Sequence, residues 1–182
     1  MNKQMLSVKE KLAKNKAALE RELGVTNPLA LLRLSAVVVS VGVGKINKDK
    51  KRLELITDRL AKITGQRPAT RGAKKSVAAF KSRQGDTVGL SVTLRGARMF
   101  GFLDKLLHAA MPRIRDFRGF DPKSVDAMGN LTVGLREHTI FPETADEDLK
   151  DVFGLAVTIV TTAKNKTQAL ALFRAIGFPF KK

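Results

Sequence analysis

Apolar positions recur along this chain in two periods, and the changes from one to the other mark out its elements. Ser7 precedes Glu10 by three residues, the spacing of a capping box, so a helix is expected to begin there. Leu12, Leu19 and Leu23 follow near helical spacing, and Gly24 is placed to cap its end. Asn27-Pro28 signals a turn. Leu34 to Val43 is a valine-rich run with Gly42 and Gly44 at its end, which predicts a buried strand. Lys48 to Thr64 places Leu53, Ile56, Leu60 and Ile63 on one helical face and stops at Gly65. Arg67 to Ala73 is a candidate short strand, and Lys74 to Asp86 is a long polar, basic loop. Thr87 to Leu94 alternates strictly, with Val88, Leu90, Val92 and Leu94 on one side and Thr87, Gly89, Ser91 and Thr93 on the other.

Beyond it, Ala97 to Ala110 carries Phe102, Leu103, Leu106 and Leu107 at helical spacing, and Pro112 stops the helix. An irregular stretch runs to about Ala127. Asn130 to Glu137 alternates through Leu131, Val133 and Leu135, and Phe153 to Thr162 is a β-branched strand. Thr167 to Ile176 closes the chain as a helix capped by Gly177, followed by the tail Phe178-Pro179-Phe180. The order predicts an α+β fold: an antiparallel sheet with helices packed on one face, in the split βαβ arrangement of ferredoxin-like folds. A single domain over 1–182 is expected, with 1–30 as a helical appendage and 74–86 as an extended loop. The other sheet face should carry the polar side of each strand.

Charge sharpens this picture. The 182 residues carry 34 Lys and Arg against 17 Asp and Glu, a formal net charge of +17. Residues 45–83 alone hold a net +10, whereas residues 121–182 are neutral. Self-repulsion of this size disfavours a compact chain, and a polyanion relieves it, so nucleic acid is the first partner to consider. The localisation argues for a footprint rather than for solvated lysines spread evenly. Without cysteine there can be no disulfide or thiolate metal site. No apolar run reaches the roughly 18 residues of a membrane span, and no signal-peptide core opens the chain, so a cytoplasmic protein without membrane contact is expected.

Several motifs compete for chemistry. Gly42-Val43-Gly44-Lys45 invites a nucleotide-binding reading, but Asn47 stands where a dinucleotide fingerprint needs a third glycine. A P-loop would need glycine at Val39 and Ser or Thr at Ile46. The small residues instead suit close approach of another backbone. In the loop, Lys74, Lys75, Lys81 and Arg83 surround Phe80, with Ser82 and Gln84 beside them. The cations suit phosphates and the ring suits an exposed base, unless Phe80 folds back onto the core. Arg113, Arg115 and Arg118 suit bidentate phosphate contacts and equally suit pairing with Asp116 or Asp121. His108 reads as structural and Glu137-His138 as an isolated pair at a strand end. Asp146, Glu147, Asp148 and Asp151 form an acidic patch, better read as helix-terminal charge than as a metal site. No nucleophile, base and orienting group fall at motif spacing, so neither catalysis, metal nor cofactor is expected. An RNA-acting enzyme, a nuclease or modification enzyme built on that patch or on the histidines, is the alternative. The chain lacks Trp and Tyr. It therefore lacks the aromatic strands that read single-stranded RNA, and folded RNA is the better fit.

Gly65-Gln66-Arg67-Pro68, Ala73 to Ala78, Phe80-Lys81 and Arg83-Gln84-Gly85 resemble the family of bacterial large-subunit ribosomal protein five. Val92 to Gly96, Met111-Pro112-Arg113-Ile114-Arg115-Asp116-Phe117-Arg118-Gly119, Ile140 to Glu143, Thr161 to Lys164 and Phe178 to Phe180 continue the match in order. The resemblance implies a non-enzymatic constituent of the central protuberance that helps attach 5S rRNA to the large subunit, without cofactor. It also implies contacts with 23S rRNA, P-site tRNA, a small-subunit head protein (number thirteen) and neighbouring central-protuberance proteins. Carried over by position, rRNA contacts fall on Ser40, Gln66 and Thr93, with Gly42, Gly44, Lys45, Arg67, Arg71 and Arg95 around them. The tRNA-facing loop falls on Lys74 to Gly85, and a bridge or rRNA contact on Arg113, Arg115 and Arg118. The family usually has Asn where Ser40 stands, and commonly Phe and Tyr where Val125 and Leu131 stand.

Overall fold

A computed structural model describes residues 6–24, 27–44, 46, 49–80, 82–145 and 152–181. Among the described residues, four α-helices and five strands form in the order α1 (Val8–Leu23), β1 (Leu34–Gly42), α2 (Lys50–Thr64), β2 (Ala69–Gly72), β3 (Thr87–Leu94), α3 (Gly96–Lys105), β4 (Leu131–Leu135), β5 (Leu155–Thr161) and α4 (Lys166–Ile176). One antiparallel sheet takes the order β2-β3-β1-β5-β4. Strands β1 and β2, joined through α2, thus have β3 inserted between them. Strands β3 and β5, joined through α3 and β4, have β1 inserted between them. These are the split βαβ units expected from the element order.

Burial follows the period-two pattern. Val37, Val39 and Val41 of β1, Leu90, Val92 and Leu94 of β3, Leu131, Val133 and Leu135 of β4, and Leu155, Val157 and Ile159 of β5 are buried. Ser40, Gly89, Ser91, Thr93, Thr132 and Thr158 between them reach solvent. Each such buried Val or Leu contributes roughly 1.5–3 kcal/mol of transfer free energy, so the alternation alone fixes which face is covered.

The backbone groups into two compact units. The first comprises Met1–Val37, Arg95–Val133 and Thr158–Lys182. Here the capping box is present in both directions: the Glu10 N–H donates to Ser7 Oγ at 3.3 Å and the Ser7 N–H to Glu10 Oε2 at 2.9 Å. Gly24 ends α1 at φ +62°. Three polar contacts seat α1: Val8 N–H on Asp104 Oδ1 at 2.6 Å, Lys11 Nζ on His108 Nε2 at 3.1 Å, and Asn15 Nδ2 on the Ala175 carbonyl at 2.7 Å. The helix expected over 97–110 is α only to Lys105, and a π-helical turn over Leu106–Ala110 precedes Pro112. Asp126 to Asn130 closes a tight loop onto β5. The Asn130 N–H donates to Asp126 Oδ1 at 2.7 Å and Thr161 Oγ1 donates to the Gly129 carbonyl at 2.7 Å. The backbone N–H of Asn130, the largest influence, holds the Asp126 carboxyl below its ordinary range, against the opposing effect of desolvation.

The second unit comprises Val38–Leu94 and Gly134–Val157. Asp49 caps α2 by accepting the Arg52 N–H at 3.2 Å, and Gly65 ends it at φ +67°. Ile56, Leu60 and Ile63 are buried as their spacing predicts, but Arg59 on the same stripe is buried too. Arg59 Nη1 lies 3.5 Å from Nε2 of His138. The His138 ring is fully buried and stacks on Phe153 with centroids 4.1 Å apart. His138, just past the end of β4, is therefore a core residue and is not isolated. Val125 and Leu131, where the family commonly carries aromatics, are buried aliphatics of the first unit that pair across the Asp126–Asn130 loop.

Candidate nucleic-acid interface

The uncovered sheet face of the second unit is built from small residues because its strands alternate large-in, small-out. Ser40 is half-buried and Gly42 exposed on β1; Gly89, Ser91 and Thr93 are half-buried on β3. Strand β2 adds its side chains by register: Ala69 lies opposite Ser91 and Arg71 opposite Gly89. Directly opposed residues of an antiparallel pair share a face, so Arg71 stands on the same side as Ser91 and Gly89. A Cβ added at Gly89 would sit 3.8 Å from Arg71 Cβ, which confirms the neighbourhood. Ser40, Gly42, Arg71, Gly89, Ser91 and Ala156 line a shallow open depression of about 600 Å³. Hydroxyls, exposed backbone and one guanidinium at its edge can meet ribose hydroxyls and phosphates, with no bulky side chain to hold a ligand backbone away.

The other residues singled out in the sequence flank this face. Gln66 is half-buried directly after Gly65, and its carbonyl accepts from Thr64 Oγ1 at 3.0 Å, which fixes the backbone there. Arg67 is exposed beside buried Pro68. Gly44 is exposed after the end of β1, and the Val43 N–H before it donates to the Val88 carbonyl at 2.9 Å. Lys45 lies outside the described residues, as do Lys81, Asp146, Glu147, Asp148 and Asp151.

The described residues of the basic loop make hydrogen bonds to one another. At its base the Ala73 N–H donates to the Asp86 carbonyl at 2.8 Å, and the Gly85 N–H to the Ala73 carbonyl at 3.0 Å. Asp86 Oδ2 accepts the Arg83 N–H at 2.8 Å, and Ser76 Oγ accepts the Gln84 N–H at 2.9 Å. Val77 and Ser82 then pair across a turn over Ala78–Phe80. Phe80 is 81% exposed at that turn, which removes the reading in which it folds onto the core. Lys74, Lys75, Arg83 and Gln84 are exposed, while Ser82 is half-buried. The only acid of this loop, Asp86, is engaged with backbone, and among the described residues no ion pair neutralises Lys74, Lys75 or Arg83.

In the first unit Arg95 is exposed at the N-cap of α3, where the helix dipole favours negative charge and the first turn holds no acid. Arg113, Arg115 and Arg118 are exposed. Among the described residues none of the three is paired with Asp116 or Asp121. Among the same residues no three His, Asp or Glu side chains gather as metal ligands, and no helix is long and apolar enough to cross a membrane. The buried Arg59–His138 contact was missed in the sequence; the signal available was the place of Arg59 between Ile56 and Ile63 on one helical stripe.

Comparison with known proteins identifies the family. The family model described as ribosomal protein L5 matches residues 27–83, and the model of the same ribosomal family's C-terminus matches residues 87–180. The junction between them falls at the base of the basic loop. The chain is 45% identical over 167 residues to the large ribosomal subunit protein uL5 of Anaeromyxobacter sp. (strain K), covering 92% of this chain and 93% of that one. It is 46% identical over 164 residues to uL5 of Rubrobacter xylanophilus, covering 90% and 91%. It is 44% identical over 176 residues to uL5 of Acidobacterium capsulatum, covering 96% and 97%. With both family segments present in order along one chain, the protein belongs to the uL5 family of ribosomal proteins and is a structural constituent of the large ribosomal subunit, not an enzyme.

Proposed function

We propose that this chain holds 5S rRNA on the large subunit through the uncovered face of its sheet, and meets the P-site tRNA with the basic loop of residues 74–86. The observation that carries the reading is the pairing of a small, polar sheet face with a net +10 concentrated in residues 45–83. Phosphates supply affinity through counterion release, while Ser40, Thr93 and Gln66 fix the register on a folded RNA. Gly42 and Gly44 admit the RNA backbone, Arg67 and Arg71 supply bidentate donors around the rim, and Arg95 adds a further rRNA contact. Contacts with 23S rRNA, with the small-subunit head protein thirteen and with neighbouring central-protuberance proteins complete the same assembly in the cytoplasm.

Titrating the protein with 5S rRNA at several salt concentrations tests the reading. If roughly 5 to 8 phosphates are neutralised, log affinity falls against log salt with a slope on the order of −4 to −7. A slope near zero, or no preference for 5S rRNA over an unrelated structured RNA, would falsify it.

The loop makes a separate prediction. Replacing Ala78–Arg83 by a Gly-Ser turn removes Phe80 and Arg83 but leaves the Ala73–Asp86 closure. The protein should keep its melting temperature to within a few degrees and keep its 5S rRNA affinity, because the sheet face is untouched. Assembled ribosomes carrying the shortened loop should release P-site tRNA faster, by about tenfold if one stacked base at about 1–3 kcal/mol is lost. Unchanged tRNA release would remove the loop from the tRNA contact.

A further inference from the structure

Two successive backbone N–H groups on the return side of the basic loop are held by side chains from its two ends. The Arg83 N–H donates to Asp86 Oδ2 at 2.8 Å, and the Gln84 N–H to Ser76 Oγ at 2.9 Å. The first bond spans three residues and shapes the return; the second spans eight and crosses the loop. Beside them the Asp86 N–H donates to the Arg83 carbonyl at 3.1 Å, and Gly85 takes φ +91° to turn the chain back toward β3. The two sides approach closely at the base, where a Cβ on Gly72 would lie 3.4 Å from the Gly85 carbonyl oxygen. Asp86 is the only acid among residues 74–86, which carry Lys74, Lys75, Lys81 and Arg83. An acid among so many cations would serve most simply as their counter-ion. Here a carboxylate oxygen accepts a backbone N–H instead, and among the described residues no ion pair joins it to Lys74, Lys75 or Arg83.

We propose that Ser76 and Asp86 are positioning residues: they set the backbone at 83 and 84, and through it the shape of the loop that presents Phe80, without touching RNA themselves. This role rests on the tRNA reading of the loop given above. Two effects of Asp86 oppose each other. Its charge weakens the hold on a polyanion, so electrostatics alone predicts that removing it tightens RNA binding. Its hydrogen bond restrains a loop that is long and self-repelling, and a loop already in its bound shape gives up less entropy on binding. The two effects predict opposite signs for one substitution. The carboxylate faces a backbone donor rather than a cation, so its placement serves the second effect. Ser76 has no charge, and its substitution reads the second effect alone.

Amide exchange on the free full-length protein and P-site tRNA release from ribosomes carrying it test the role. Asp86→Ala should speed exchange of the Arg83 amide about two- to tenfold, the range for losing one exposed hydrogen bond, and Ser76→Ala should do the same to the Gln84 amide. Ribosomes with either variant should release P-site tRNA about two- to tenfold faster, Asp86→Ala in spite of the negative charge it removes. Asp86→Asn and Ser76→Thr keep an acceptor oxygen in place. Both should restore slow exchange and hold tRNA at least as long as the wild type does. Melting should be unaffected throughout, because the Ala73–Asp86 backbone closure uses neither side chain. Ser76 is exposed, so Ser76→Ala carries the test should Asp86→Ala misfold. Retention of tRNA by Asp86→Ala for as long as the wild type, or longer, would overturn the proposal, since charge would then outweigh shape. Unchanged exchange of both amides would overturn it too. If exchange speeds up while tRNA release is unchanged both in these variants and in the shortened loop, the tRNA reading is what fails, and the positioning role falls with it.

Discussion

A Gly42→Glu variant is expected to fold as the wild type does and to lose at least about a hundredfold in affinity for 5S rRNA. Gly42 is exposed at the end of β1, its φ lies outside the left-handed region, and a Cβ built on it meets no atom within 4 Å. The backbone therefore accepts a side chain there without strain. Replacing glycine in an extended strand also reduces the freedom of the unfolded chain, so stability should hold or rise slightly. The glutamate would project among Ser40, Arg71, Gly89 and Ser91, where the proposed RNA backbone has to approach. Like charges brought together at an interface cost several kcal/mol, and each 1.4 kcal/mol is about tenfold in affinity. Gly42→Ala separates bulk from charge: it should cost far less, since a methyl adds no repulsion. Filter binding at fixed salt, with thermal melting on the same samples, reads both effects. Unchanged affinity for Gly42→Glu would move the RNA away from this face.

The largest loss of stability should come from Gly129→Val. Gly129 is buried with φ +80°, and a Cβ there would lie 2.7 Å from Ala163 Cβ and 3.2 Å from Ala169 Cβ. Two penalties combine. A β-branched residue at positive φ is a backbone outlier, at about 1–3 kcal/mol, and forcing its methyls against Ala163 and Ala169 adds about 1–3 kcal/mol of overpacking. Moving the loop to relieve the clash would break the 2.7 Å bond from Thr161 Oγ1 to the Gly129 carbonyl. We expect a destabilisation of about 4 kcal/mol and a melting temperature lower by about 10 °C, at roughly 2–4 °C per kcal/mol for a chain of this size. Gly134→Val is the control. Gly134 is exposed on β4 with nothing within 4 Å of a built Cβ, and the variant should melt within about 2 °C of the wild type. Similar melting of the two variants would show that the Asp126–Asn130 loop can move off β5 at no cost.

Short-range chemistry encodes the ends of the helices and the buried face of a strand. Ser7 and Glu10 begin α1, Gly24, Gly65 and Gly177 end three helices in the left-handed conformation, and the alternation from Thr87 to Leu94 sets the buried face of β3. Each of these signals is complete within one turn or a few strand residues, so no distant partner is needed to read it. The charge asymmetry was legible for the same reason, whereas the sequence left Phe80 open between an exposed ring and one folded onto the core. Strand order, register and long-range burial depend on contacts between distant parts of the chain. Any alternating strand can pair with any other, so only the assembled sheet sets the order β2-β3-β1-β5-β4 and the register that stands Arg71 across from Gly89. Burial of His138 against Phe153 and Arg59 joins residues 15 and 79 positions apart; the place of Arg59 on the apolar stripe of α2 signals its burial but not its partner. Gly119 and Gly129 look like ordinary turn glycines in the sequence. What makes them irreplaceable is the tail backbone at 179–181 and the methyls of Ala163 and Ala169, brought against them by packing across separations of 34 to 62 residues.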